Sequence, residues 1–188
     1  QLAKLKNITL EQQYNLKEHT QDISVQKLKN LSSELESYKK AHGLIDYNDM
    51  ILDFIKSDAS PEFDVVFIDE AQDLSRMQWN MAKTIWNKTK DSYIAGDDDQ
   101  AIFRWAGADV NSFIAQTGKF LRLTESLRVP RVVHDVAMNI VKRISKRHHK
   151  EWSPKNKSGL LSYYHEFQDV DMSSGEWYVL ARTRYMLN

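Results

Sequence analysis

The sequence predicts a layered α/β fold around a mainly parallel sheet, and three observations predict it. Val65-Val66-Phe67-Ile68 is a short apolar run that stops abruptly at Asp69 and Glu70. A buried parallel strand reads this way when it carries acids to the C-terminal edge of a sheet. Ser92-Tyr93-Ile94-Ala95 is a second short run, and it opens into Gly96-Asp97-Asp98-Asp99-Gln100. Between the two, Met77, Met81 and Ile85 recur at helical spacing through about Asn87, behind the capping-box pair Ser75 and Gln78. Such alternation of strand and helix implies a layered fold with parallel strands.

In chain order, residues 1–42 are polar and helical in period, with no strand signal. Thr9 and Gln12 form another capping-box candidate, and Leu28, Leu31, Leu35 and Tyr38 share one helical face. Gly43 suits the residue that closes a helix, and Asp46 begins a further short one. Pro61 and Glu62 precede the first strand. A helix is expected over residues 110–116, ending near Gly118, and a third strand over residues 120–123. Pro130 suits the first turn of a helix whose apolar stripe is Val133, Val136, Ile140 and Ile144. Residues 160–164 and 177–181 read as further strands.

A chain of 188 residues with 41% hydrophobic side chains can bury the core of one medium domain or two small lobes. The absence of cysteine excludes disulfides and cysteine-based metal sites, and fits a reducing interior. No apolar stretch approaches the length of a membrane span and no signal-peptide pattern opens the chain. A soluble cytoplasmic protein without a membrane partner is therefore expected, and Gln rather than Met at position 1 suggests a partial chain. Net charge is zero but unevenly spread: residues 1–118 carry 13 Lys and Arg against 19 Asp and Glu, residues 119–188 carry 13 against 7. The change of sign places a lobe boundary near residues 124–130. The basic excess peaks at Lys142, Arg143, Lys146, Arg147 and Lys150, around His148 and His149. It is either a salt-sensitive contact to phosphates or cationic decoration of a helix C-terminus.

Three constellations carry chemistry. In a nucleotide-hydrolysing site, an acid placed as Asp69 is holds Mg²⁺ and its waters, and one placed as Glu70 is orients and deprotonates the attacking water. After Gly96, whose backbone freedom suits a tight turn, the three acids Asp97, Asp98 and Asp99 are costly in a core and must face solvent, a cation or a partner. Gln100 can donate to a phosphate oxygen and accept from water. Phe103 and Trp105 flank Arg104 in a polar, Gly-flanked loop, which favours stacking on unpaired bases, worth about 1–3 kcal/mol each, over core filling. Arg128 sits between a strand candidate and a Pro-started helix. An arginine there can reach across a cleft to a transferring phosphoryl group, or simply form a surface ion pair.

Together these segments resemble the UvrD/Rep family of DNA helicases, within superfamily 1. Asp69-Glu70-Ala71-Gln72-Asp73 is similar to the family's Walker B segment, and residues 96–105 to the next motif. Residues 123–128 resemble the segment with an arginine finger, and residues 46–50 the stretch that precedes Walker B. Residues 177–184 are similar to a family strand of the Val-Leu-x-Arg-Thr type. The segments occur in family order and cover about residues 35–188.

The resemblance implies a partial P-loop NTPase (RecA-like) motor lobe over residues 43–123, a helical insertion over 1–42 and the start of a second RecA-like lobe over 124–188. It implies Asp69 on Mg²⁺, Glu70 as general base, Gln100 sensing the ATP γ-phosphate and Arg128 acting on it from the opposite lobe. Phe103 and Trp105, with Arg104, would contact single-stranded DNA, and DNA junctions would be partners. The sequence departs from the family in lacking any Gly-x-x-x-x-Gly-Lys-Ser/Thr, and Ala106 stands where many relatives carry Arg. The chain is then expected to be the middle of a helicase motor that needs its missing segments, in cis or in trans, to hydrolyse ATP. A non-enzymatic module that binds single-stranded DNA or completes such a motor is the alternative. A Mg²⁺-dependent nuclease using Asp69, Glu70 and the acids at 97–99 is a third reading, weakened by the lack of an evident catalytic lysine.

Overall fold

The structure, a computed structural model, describes residues 1–16 and 23–187; the helical expectation for residues 17–22 lies outside them. The described residues form two compact units, Gln1–Arg122 with Arg143–Lys150, and Leu123–Lys142 with Glu151–Asn188.

In the first unit, local capping chemistry fixes most helix ends. Helix α1 (Leu2–Lys6) ends at Asn7 in a left-handed conformation, and α2 (Leu10–Asn15) starts from the Thr9–Gln12 capping box. Helix α3 (Val25–His42) is closed by Gly43 at φ 63°, and α4 (Tyr47–Ser57) starts from Asp46, whose carboxylate accepts from the Asn48 and Asp49 N–H groups. Lys39 is buried and bridges α3 to the start of α4 through Asp46 (3.0 Å) and Asp49 (2.6 Å). The predicted apolar face of α3 forms but is not covered: Leu31, Leu35 and Tyr38 are exposed.

Strands β1 (Phe63–Ile68) and β2 (Thr89–Ile94) pair in parallel, with Phe67 opposite Tyr93 and Ile68 opposite Ile94. Helix α5 (Arg76–Trp86) connects them, buries Met77, Trp79 and Ala82, and packs against α4, α1 and the strands. The short helix α6 (Val110–Ile114) adds the buried Val110 to this core. The expected doubly buried strand is only half realised: Phe63, Val65 and Phe67 are exposed, and Phe67 stacks on Tyr93 at 5.0 Å across the bare face. A parallel sheet is normally covered on both faces, whereas this two-stranded one carries helix α5 on one side. The Ser75–Gln78 capping box is present as predicted, and Ser75 is buried. Ser75→Ala should therefore lower unfolding free energy by about 1 kcal/mol; urea denaturation measures it.

The second unit contains helix α7 (Arg131–Val141). Pro130 is the residue just before the helix rather than its first turn. Segments 124–126 and 153 form a short parallel bridge, and the His134 ring meets Trp152 edge-on at 4.5 Å. The strands expected at residues 120–123, 160–164 and 177–181 do not form. Each is apolar enough for a strand, but a strand exists only when its backbone groups find a partner. Among the described residues none pairs with these segments, and Leu121, Leu123, Leu160, Tyr178 and Leu180 lie open to solvent. Among the described residues the expected start of a second RecA-like lobe thus has no sheet, and the expected first lobe has two parallel strands. No helix among the described residues is long and apolar enough to cross a membrane.

Candidate functional site

Parallel pairing determines where the acids go. Because β1 and β2 run the same way in register, the residues that follow both strands leave from one edge. The ladder continues past the strand ends: the Ala95 N–H donates to the Ile68 carbonyl at 2.7 Å, and the Ala71 N–H to the Ala95 carbonyl at 3.0 Å. Asp69 and Glu70 therefore emerge beside Gly96 and Asp97.

Asp69 and Glu70 are both exposed at this edge. The Glu70 backbone is left-handed at φ 50°, ψ 37°, and its N–H donates to Asp69 Oδ1 at 2.9 Å. A non-glycine residue held in that region stores roughly 1–3 kcal/mol of strain, a pattern that concentrates at functional sites. Just behind it Gln72 is 1% exposed. Its Nε2 donates to Glu70 Oε2 at 2.7 Å, and its Oε1 accepts from the Asp97 N–H at 2.9 Å. No role for Gln72 follows from the sequence beyond its place between the acids.

The three acids after β2 face cations of their own chain. Arg147 makes a two-pronged bond to Asp99, at 2.6 and 2.7 Å. The Lys150 ammonium contacts Asp97, Asp98 and Asp99, and the His148 N–H donates to Asp98 at 2.6 Å. Burial alone would push the Asp97 carboxyl up, yet hydrogen bonds from Lys150 and Gln100 hold it below the usual carboxylate range. Burial likewise works against a charged Lys150, and its bonds to Asp97 and Asp98 outweigh it, so the ammonium is held more firmly than usual. The basic cluster lies beyond the end of α7, and Arg147 and Lys150 are engaged with carboxylates rather than decorating the helix or standing open to phosphates. Only the complementary charge of two stretches some 50 residues apart hints at this pairing in the sequence.

Gln100 is exposed, with Nε2 donating to Asp97 Oδ2 at 2.7 Å. Gly96 is not in the left-handed region, and a Cβ there would stand 2.5 Å from Gln72 Oε1, so close approach is what requires the glycine. Beyond Gln100, Arg104 and Trp105 lie in a short 3₁₀ turn, Arg104–Ala106. Trp105 is 75% exposed, Phe103 is 44% exposed, and their rings are tilted at 6.4 Å. This loop is pinned to the start of α5 by a Ser75–Ala108 bridge, by the Asp109 N–H on the Leu74 carbonyl (2.8 Å) and by Arg76 on Asp109 (3.2 Å). The aromatics are thus exposed on a fixed support. Arg128 belongs to the second unit; it is exposed, and its N–H donates to Ser126 Oγ at 3.3 Å.

Among the described residues no three His, Asp or Glu side chains are grouped to hold a metal ion. The nuclease reading is weakened by the acids at 97–99 themselves, which face Lys150 and Arg147 of their own chain. Mg²⁺ keeps several waters and takes one or two carboxylates plus phosphate oxygens, and the exposed Asp69 and Glu70 carboxylates at the strand edge have the chemistry to meet such a hydrated ion.

Residues 1–120 match the UvrD/REP helicase N-terminal domain. The chain belongs to the UvrD/REP helicase family. It is 27% identical over 157 residues to the ATP-dependent DNA helicase PcrA of Bacillus subtilis, covering 74% of this chain and 21% of that protein. It is 26% identical over 142 residues to PcrA of Staphylococcus epidermidis, with 68% and 20% covered. It is 26% identical over 136 residues to PcrA of Staphylococcus aureus, with 65% and 19% covered. The chain spans about a fifth of the length of these curated relatives. Within the UvrD/REP match fall Asp69, Glu70, Gln100, Phe103, Arg104 and Trp105, while Arg128 lies beyond residue 120.

Proposed function

We propose that this chain is part of an ATP-dependent DNA helicase motor that couples ATP hydrolysis to translocation on single-stranded DNA and duplex unwinding. The supporting observation is the shared strand edge, where Asp69 and Glu70 emerge beside the Asp97–Gln100 loop, which continues into the exposed Phe103–Trp105 loop. Bound Mg²⁺–ATP would supply the phosphoryl group and a cation that spreads its negative charge. Asp69 would hold the ion through its waters. Glu70 would orient the attacking water and take its proton, and Gln100 would contact the γ-phosphate. Arg128, from residues 124–188 as the start of a second motor lobe, would stabilise the charge that develops on transfer. Residues 43–123 would form the first lobe and residues 1–42 part of a helical insertion.

The phosphate-cradling loop and its lysine are absent from the 188 residues, so the chain alone should not turn over ATP. The remaining motor segments would complete it in cis or in trans, in the cytoplasm, on single-stranded DNA or DNA junctions. Purified intact protein should hydrolyse ATP faster with single-stranded DNA and displace a labelled strand from a tailed duplex. If DNA binds without any turnover, the chain is instead a non-enzymatic binding or complementing module.

Base stacking gives a separate expected result. Trp105→Ala should weaken binding to an oligothymidylate by about 1–3 kcal/mol, read by fluorescence anisotropy at fixed salt. Its melting temperature should hardly move, because Trp105 is 75% exposed. Unchanged affinity would remove Trp105 from the DNA track.

A further inference from the structure

The side chain of Gln72 is buried between the two loops that leave the sheet edge, and a buried amide must have both ends satisfied. The Asp97 backbone N–H can only donate, which fixes the Gln72 Oε1 towards it. The Nε2 then necessarily faces the Glu70 carboxylate, with Asp73 as a longer second acceptor at 3.4 Å. From Asp97 the chain of bonds continues, because its carboxylate accepts from Gln100 Nε2. Gly96 leaves room for the amide: a Cβ there would meet Gln72 Oε1 at 2.5 Å and the Phe113 ring at 3.0 Å. One hydrogen-bonded line therefore runs Glu70, Gln72, Asp97, Gln100, and within it only Gln72 is buried.

We propose that Gln72 is a positioning residue that couples Glu70 to Gln100, so that the base and the γ-phosphate contact reach their working positions together. The inference rests on the helicase reading, which assigns those two roles. An exposed glutamate on a strained backbone has many rotamers; a buried donor 2.7 Å away selects one of them. The same amide holds the backbone from which the Gln100 loop departs. Gln72 touches neither water nor phosphate and acts through its neighbours.

The test uses the intact protein and DNA-stimulated ATP hydrolysis. Gln72→Leu removes both bonds. Gln72→Glu keeps an acceptor for the Asp97 N–H and loses the donor toward Glu70. Both should lower kcat by about 10-fold or more, while the Kd for a non-hydrolysable ATP analogue stays within about twofold. Combining Gln72→Leu with Gln100→Ala should lose much less than the product of the single losses, as members of one linked group do. A merely structural role would instead lower the active fraction, with losses that multiply. If Gln72→Leu fails to fold, Gln72→Glu and Gly96→Ala, which presses a methyl group on the amide, carry the same kcat expectation. Wild-type turnover that is lost in Glu70→Gln but kept in the Gln72 variants, or losses that multiply, would overturn the Gln72 inference alone. Absent wild-type turnover, or turnover kept by Glu70→Gln, would overturn the helicase reading and this inference with it.

Discussion

Glu70→Gln is expected to abolish ATP turnover in the intact protein while leaving nucleotide binding in place. The substitution changes little but the chemistry. Glutamine keeps the length and shape of the side chain, and its amide oxygen can still accept from Gln72 Nε2, which stands 2.7 Å from the native carboxylate. The left-handed backbone at φ 50° is no worse for glutamine than for glutamate. What disappears is a group able to take a proton from water. Loss of a general base removes about 10²–10⁴ of rate, and single-turnover hydrolysis measured beside equilibrium binding of ATP separates that loss from a loss of affinity. Retained turnover would remove Glu70 as the base.

The parts of the site that were legible in the sequence are those fixed by local chemistry. An apolar run that stops at two acids, a capping box at Ser75 and Gln78, and a glycine closing α3 all depend on neighbours a few residues away, and all are present. The parallel pairing of β1 and β2 followed from the helix between them. Strands at 120–123, 160–164 and 177–181 were misread for the complementary reason: periodicity and β-propensity describe one side of a pairing, and the partner is not local. Gly96 suits a turn at the strand end on local grounds, whereas the room it leaves for the Gln72 amide depends on a residue 24 positions earlier. The basic stretch around Lys150 shows the same limit, since its charge was legible and its partners, three aspartates about 50 residues earlier, were not.

Those partners make Lys150→Met the substitution with the largest expected effect on stability. The Asp98 side chain is 2% exposed and Asp99 8%, so water cannot replace the ammonium that faces them. The His148 N–H on Asp98 and the Gln100 amide on Asp97 are neutral donors, and the remaining cation, Arg147, has both its bonds spent on Asp99. Breaking a buried ion pair from one side typically costs about 3–5 kcal/mol, because the partner is stranded rather than removed. Lys142→Met and Lys146→Met, at exposed positions of the same cluster, should stay within about 0.5 kcal/mol of the native chain. Adding Asp98→Asn to Lys150→Met should recover part of the loss by removing the stranded charge. The pH dependence has a definite sign on each side. Asp97 is held below its ordinary value of 3.8, so its contribution is present above that pH and fades as acid titrates it through the lowered value. Lys150 is held above its ordinary 10.5, so its contribution is present below that pH and fades as base titrates it through the raised value. The stability gap between native and Lys150→Met protein should therefore be level from about pH 5 to 9 and narrow in acid, which urea melts across that range would reveal. Added salt should shrink it little, since screening acts weakly on groups this buried. A gap that is small and salt-sensitive would mean that solvent, not Lys150, neutralises the aspartates, and that Arg143–Lys150 is not anchored on the loop that carries Gln100.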